Sequence, residues 1–462
     1  MAQAFRSTRV VTPEGVRPAV VFVDAGKITA IHPWEAPTPD ATLQDFGNLV
    51  LLPGLVDTHV HINDPGRDWE GFATATRAAA SGGVTTLVDM PLNCIPETIT
   101  AAALEEKRAA ARGKVWTDWA AWGGVVGNGV AHGNADEIPA LIAAGVPGFK
   151  CFLIHSGIEG FAWVDESDLR AALAKLKGTN LPLLAHAELK APVEASTAKL
   201  NSANANWRQY STWLASRPDA SEVEAICLLI QLAEEFDTPI HIVHLSSVEA
   251  LPLLAEARQR GLRITVETCP HYLWFAAEEI PDGATEYKCA PPIRSVQNRE
   301  ALWQALTSGL IDFIATDHSP CPPAMKHKDE GRFGIAWGGI ASLGLAISII
   351  WTGLFKRNFN PETALARIAE WLAAAPARLA GLHTKGALRP GADADFAIFD
   401  PETTWTVTES DLNFLHKISP YLGANLRGRI LETWLRGERI YNYNSRSPAW
   451  SPIPLGKEWT TQ

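Results

Sequence analysis

Eight short apolar runs recur at 51–61, 84–90, 115–122, 148–154, 182–187, 239–245, 262–268 and 311–317, with helix patterns between them. The helix patterns include 70–80, 102–112, 222–236 and 248–260, and Asn360-Pro361 caps a further helix rich in Ala and Leu. Strand–helix units of this kind pack in parallel with right-handed crossovers. The spacing therefore predicts an α/β fold, a (β/α)8 TIM-like barrel over residues 53–385, with a doubly wound open sheet as the structural alternative.

The flanks differ in texture from this middle. Residues 1–52 carry β-type runs at 9–11, 19–23 and 27–31 separated by Gly and Pro, and residues 386–442 repeat that pattern in ADFAIFD and ILETWLRGERIY. The two segments are expected to pair into one small β-sandwich domain, leaving 443–462, rich in Pro, Ser and Trp, as a C-terminal tail. A chain of 462 residues, 47% hydrophobic and 20% charged, can bury a large core. Its net charge of −11 and lack of a basic run argue against nucleic acid and membrane surfaces as partners.

Six dispersed cysteines do not make a disulfide framework and fit a reducing cytoplasm, and MAQAFRSTRVVTPEG at the start lacks the apolar core of a secretory signal. The uncharged stretch GGIASLGLAISIIWTGLF (338–355) has the length of a membrane span. Its glycines and serines, and its place beside an acid of the candidate site, point instead to a buried loop and helix.

The polar residues that close the runs carry the chemistry. In LLPGLVDTHVHINDPGR (51–67), side chains two apart on a strand point the same way, so His59 and His61 can reach one metal while Asp57 orients a ligand from behind. Lys150 lies in the fourth strand, and His186, His244 and Asp317 close the fifth, sixth and eighth. Barrel sites gather at the C-terminal strand ends, so residues scattered along the sequence become one cluster. A lysine amine cannot bridge two cations, but its carbamate, formed with CO2, supplies two anionic oxygens. The expected chemistry is hydrolysis by a metal-bridging hydroxide, with Asp317 as general base and then acid.

The motifs PGLVDTHVHINDPGRDWEGFATATRAAASGGVTTLVDMPLN (53–93), GFKCFL (148–153), ETCPHYL (267–273), KCAPPIR (288–294), TDHSPCPPAMK (316–326) and AWGGIA (336–341) resemble the cyclic-amide branch of the amidohydrolase superfamily. The resemblance spans nearly the whole chain. It implies a binuclear site, usually zinc with cobalt or manganese as alternatives, in which His59, His61 and Asp317 bind one metal and His186 and His244 the other. Carboxylated Lys150 bridges them, and a homotetramer is the implied assembly.

Within that branch the discriminating positions resemble the allantoinases. Dihydroorotases carry an arginine and a histidine for the substrate carboxylate where this chain has Asn63 and Cys321. Hydantoinases and dihydropyrimidinases carry a tyrosine and an asparagine where it has His155 and, nearby, Gly338. Asp64 stands where allantoinases usually have Glu. The resemblance implies ring opening of allantoin to allantoate in purine degradation, with Asn93, Cys289 and Ser319 as substrate-binding positions. Hydantoinase-type hydrolysis is the alternative, followed by dihydroorotase activity or a non-catalytic role. His271 is expected to be supporting or structural, His241 and His318 to face away from the ligands, and segment 188–220 to form a lid.

Overall fold

A computed structural model of the chain describes residues 2–127, 133–443 and 448–461. The eight apolar runs form eight strands: β1 Leu55–Val60, β2 Val84–Asp89, β3 Asp118–Ala121 continued by Gly123–Gly124, β4 Phe149–Phe152, β5 Leu183–His186, β6 Ile240–Ile242, β7 Ile264–Thr268 and β8 Phe313–Ile314. All their pairings are parallel and follow chain order. Past β8 the ring closes onto β1, where His61 N–H donates to the His318 carbonyl at 2.8 Å and Val60 bridges His318. Nearly every strand residue is buried, because the barrel interior fills one face and helices cover the other. That is why these strands read as apolar runs rather than alternating ones.

The expected helices appear as Phe72–Ser81, Ala101–Ala111, Asp219–Phe236 and Leu251–Gln259. Asp64, the departure noted above, accepts from Phe72 N–H at 3.4 Å and so serves the start of the first of them. Asn360 Oδ1 accepts from the Glu362 and Thr363 amides at 3.0 and 3.2 Å, satisfying two of the free donors that open Pro361–Ala369. The apolar stretch 338–355 contributes the buried helix Ala346–Lys356, tied to the small domain where Ser348 Oγ donates to the Gly428 carbonyl at 2.7 Å. Among the described residues no helix is long and apolar enough to cross a membrane.

The flanking segments meet in a nine-stranded, mostly antiparallel sheet. Val50–Pro53 lies parallel to Gln3–Thr12 on one side and antiparallel to Phe396–Thr406 on the other. Phe5, Phe396 and Trp434, with Phe5 ring centroids 4.7 and 5.1 Å from the other two, form the centre of its core. The chain leaves this sheet at Pro53 and enters β1 at Leu55, so the crossing is Gly54 alone. A Cβ at Gly54 would collide with the Thr85 side chain, which restricts this junction to glycine.

Lys385 fastens the two parts. Its buried Nζ meets Asp118 of β3 at 2.6 Å, Asp395 at 2.7 Å and Asp393 at 3.0 Å.

The segment read as a tail is docked over most of its length, with residues 444–447 and 462 outside the described set. Trp119 N–H donates to the Lys457 carbonyl at 3.0 Å and Trp459 N–H to the Trp119 carbonyl at 2.7 Å, which lays 457–459 along β3. Trp459 packs there against barrel side chains. Its tryptophans make it adhesive despite its prolines.

Candidate metal centre

His59, His61, His186, His244 and Asp317 line one cavity of about 390 Å3 at the C-terminal ends of the strands. His59 Nε2 lies 3.2 Å and His61 Nε2 3.3 Å from Asp317 Oδ1, and one donor atom from each of the three falls within 4.8 Å of the others. The His244 ring sits 5.4 Å from that of His59 and 4.6 Å from that of His186, so the two groups of imidazoles adjoin. Lys150 reaches the same place from β4. Its fully buried Nζ has no hydrogen-bond partner and lies 4.7 Å from the Phe152 ring, which itself stacks on His186 at 4.5 Å.

Two of these residues hold uncommon backbone conformations. His244 has φ of 41° and Asp317 of 46°, in the left-handed region that a branched or bulky side chain avoids. Each follows the end of its strand, where the turn breaks the extended course. Backbone strain of about 1–3 kcal/mol per residue is tolerated where surrounding structure imposes it, typically at functional sites.

Burial pushes His61, His186 and His244 below the ordinary imidazole range, leaving neutral rings with a lone pair to offer. It pushes the Lys150 amine down to about 8. Asp317 is raised by burial, but His59 and His61 outweigh that and hold it well below the usual carboxylate range. Neutral imidazoles, one carboxylate and a buried amine without a counter-charge make a donor set that fits divalent metal.

A second layer fixes these donors. Glu267 of β7, fully buried, has Oε1 2.5 Å from His59 Nδ1 and 3.3 Å from the His244 amide, and Oε2 3.1 Å from His241 Nε2. Burial raises its carboxyl, but His59 and His241 hold it down to about 2. Since His59 donates from Nδ1, its Nε2 faces Asp317 with a free lone pair. Glu188 does the same for His186, lying 2.8 Å from its Nε2 and paired with Arg217.

Asp57 acts differently from the expectation. It takes the His59 amide at 3.2 Å and the Thr316 hydroxyl at 2.5 Å, so it ties the end of β1 to the end of β8 through backbone and hydroxyl; the ring of His59 belongs to Glu267.

Asn93 and Ser319 line the cavity, but Cys289 does not: it is buried behind the wall, and its carbonyl accepts from Trp213 Nε1 at 3.2 Å. The Asn93 amide lies 3.3 Å from His61 Nδ1 and leaves its own oxygen without a partner. His155 and Gly338 also line the cavity, whereas Asn63 and Cys321 are buried away from it. His241 and His318 are committed elsewhere, His241 to Glu267 and Thr265, His318 to the Ser342 and Leu343 amides. His271 is buried with neither ring nitrogen partnered, and lies beside Cys269 and Asp317.

Segment 188–220 forms the helices Lys190–Ser202 and Tyr210–Ser216, which bring Trp213 and Arg217 to the cavity as a wall. Sequence reading missed Glu267, Glu188 and Lys288. Glu267 opens the motif ETCPHYL at the end of the run 262–268, so a charged residue inside an apolar run was the available signal there; Lys288, in a loop, offered none of that kind.

Residues 50–440 match the Amidohydrolase family. The allantoinase of Streptomyces avermitilis is 48% identical over 437 residues, covering 94% of each chain, and that of Saccharomyces cerevisiae is 43% identical over 421 residues, covering 90% of this chain and 87% of its own. Among solved structures, the L-hydantoinase (dihydropyrimidinase) of Arthrobacter aurescens superposes with a TM-score of 0.91 over 100% of both chains at 28% identity. The dihydropyrimidinase of Brevibacillus agri gives 0.87 over 99% of this chain and 98% of its own at 26% identity.

Proposed function

The chain belongs to the amidohydrolase family, and from that premise we propose that it is a cyclic-amide hydrolase that opens the hydantoin ring of allantoin to give allantoate. The observation that carries the choice of ring is the near full-length identity to allantoinases, well above that to the hydantoinases that share the fold. His155 and Gly338, two of the four discriminating positions, line the cavity and support the same choice.

In this reading His59, His61 and Asp317 hold one divalent ion, His186 and His244 a second, and Lys150 as N6-carboxylysine joins them. Zinc is the expected metal, with cobalt and manganese as alternatives. When bound, such ions supply Lewis acidity to the scissile carbonyl and make water acidic enough to attack near neutral pH. The Lys150 amine, buried, unpartnered and lowered to about 8, has the neutral fraction that addition to CO2 needs.

Asp317, ionised across the working range, accepts the proton of the attacking water and returns it to the ring nitrogen as the amide bond breaks. Water thus adds across one C–N bond, yielding a carboxylate and the freed ureido nitrogen. Asn93 and Ser319 on the cavity wall would orient the ring. A homotetramer in the cytoplasm completes the reading. Exposed Phe355, Leu415 and Leu422 supply apolar surface for subunit contacts.

The test is turnover by purified enzyme of allantoin, hydantoin, dihydrouracil and dihydroorotate, with metal content measured on the same sample. Rapid opening of another ring with negligible opening of allantoin would replace this reading by the hydantoinase one. Well under one bound ion per chain in fresh protein would favour the non-catalytic one.

A further inference from the structure

The cavity has a second polar end, made by donors. Lys288, only 6% exposed, lines it together with Trp213, Arg217 and Trp337. Its Nζ donates once, to the Ala336 carbonyl at 2.5 Å, and lies 4.3 Å from the centre of the Trp213 ring. An ammonium carries three N–H groups, so two are left over, and among the described residues no carboxylate pairs with it. Its charged neighbours are cations: burial, then Arg217 and Lys326, lower it to about 7.

Two further donors in that wall are buried without partners, Arg217 Nε and Trp337 Nε1. Buried donors left unmade are costly, and Lys288, whose Nζ has N–H groups to spare at the cavity wall, marks where a ligand's acceptor belongs. Arg217 is already neutralised by Glu188, which leaves Lys288 as the uncompensated cation at this end of the cavity.

Resting on the reading of the substrate given above, we infer that Lys288 is a specificity-determining residue that donates to the carbonyl oxygen of the exocyclic ureido arm and so selects ureido-bearing rings over bare hydantoin. The ring's scissile carbonyl belongs at the histidine end of the cavity. Besides the ring's second carbonyl, which hydantoin shares, the ureido carbonyl is the substrate's remaining strong acceptor, and hydantoin has no counterpart to it.

The experiment compares wild type with Lys288→Met, similar in length and without donors, and Lys288→Gln, which keeps a donor. It measures kcat and KM for allantoin and the inhibition constant of hydantoin as a competing ligand. Lys288→Met should raise KM for allantoin by about 10- to 100-fold, with a smaller change in kcat and in the hydantoin constant, because a charged hydrogen bond to substrate is lost. Lys288→Gln should recover part of that loss.

Equal weakening toward both rings, or an unchanged KM, overturns the inference. So does wild-type turnover of dihydroorotate that Lys288→Met abolishes, since the lysine would then serve a ring carboxylate. Failure of the wild type itself on allantoin would count against the substrate reading instead. Matching thermal midpoints for the variants separate lost binding from lost folding.

Discussion

Replacing Glu267 by Gln isolates what its charge does, because the amide keeps the size and one acceptor oxygen. That oxygen can still take His59 Nδ1–H and the His244 amide, while the new NH2 faces His241 Nε2. His241 accommodates this by moving its proton to Nδ1, which already lies 2.8 Å from Thr265 Oγ1. The loss is then confined to His59, whose hydrogen bond changes from charged to neutral acceptor. Charge-assisted bonds contribute about 1.5–3 kcal/mol against ~1 for neutral ones, so the difference is about 0.5–2 kcal/mol.

That corresponds to roughly a 2- to 30-fold weaker hold on metal at His59, overlapping the lower part of the range seen when a partner of a metal-binding histidine is removed. Competition with a chelator of known affinity measures the metal constant, and excess metal should restore most of the activity. Glu267→Ala should do far worse, since it leaves the His59, His241 and His244 donors buried and unpaired. Metal affinity unchanged in Glu267→Gln would show that the His59 ring does not depend on this carboxylate and refute the reasoning.

Lys150→Ala should lose bound metal and activity together, and short-chain carboxylic acids added to the variant should restore part of each; full activity without them would exclude a bridging role for the lysine. Glu188 is raised by burial but held down to about 2 by Arg217 and His186, so its contribution to stability is complete above the unfolded value of about 4.3 and is lost as pH falls toward 2. The gap in denaturation midpoint between wild type and Glu188→Gln in metal-stripped protein should accordingly shrink on acidification, and a gap that stays constant from pH 7 to 3 would contradict this. Lys385→Met leaves Asp118 and Asp395 buried with one cation fewer and should cost about 3–5 kcal/mol, read as a lower denaturation midpoint. Lys385→Met/Asp395→Asn should recover part of that cost, and no recovery would mean the lysine contributes by packing rather than charge.

The barrel was legible in the sequence because each buried strand is a short apolar run and each helix keeps its period, and even the Asn360 cap could be placed. The ligand candidates were legible for the same reason: a histidine or aspartate ending an apolar run is conspicuous. Their partners were not. Glu267 meets His59 across 208 positions of sequence, a relation that only barrel closure creates. Asp57 sits two residues from His59 and so looked like its ring partner, yet the closure of the barrel onto Thr316 engages its carboxylate with backbone and hydroxyl instead. Lys288 gave little sign because a lysine in a loop is ordinarily solvated, and its burial depends on Trp213 arriving from a distant helix. Residues 457–459 looked free because periodicity says nothing about a segment that adds to another strand.

The small sheet also sets a timetable for synthesis. Pro53 is paired with Phe396, so the fifth strand of the N-terminal group waits for the whole barrel to be translated before its partner exists. At ribosomal speeds of about 5–20 residues per second that wait is roughly tens of seconds, during which an apolar strand edge stands open. Residues 457–459, made after the strands of the sheet, then reach back to lie along β3 of the barrel. A chain stopped before Phe396 would carry all of the histidines proposed to hold metal and still lack the strands that finish its sheet.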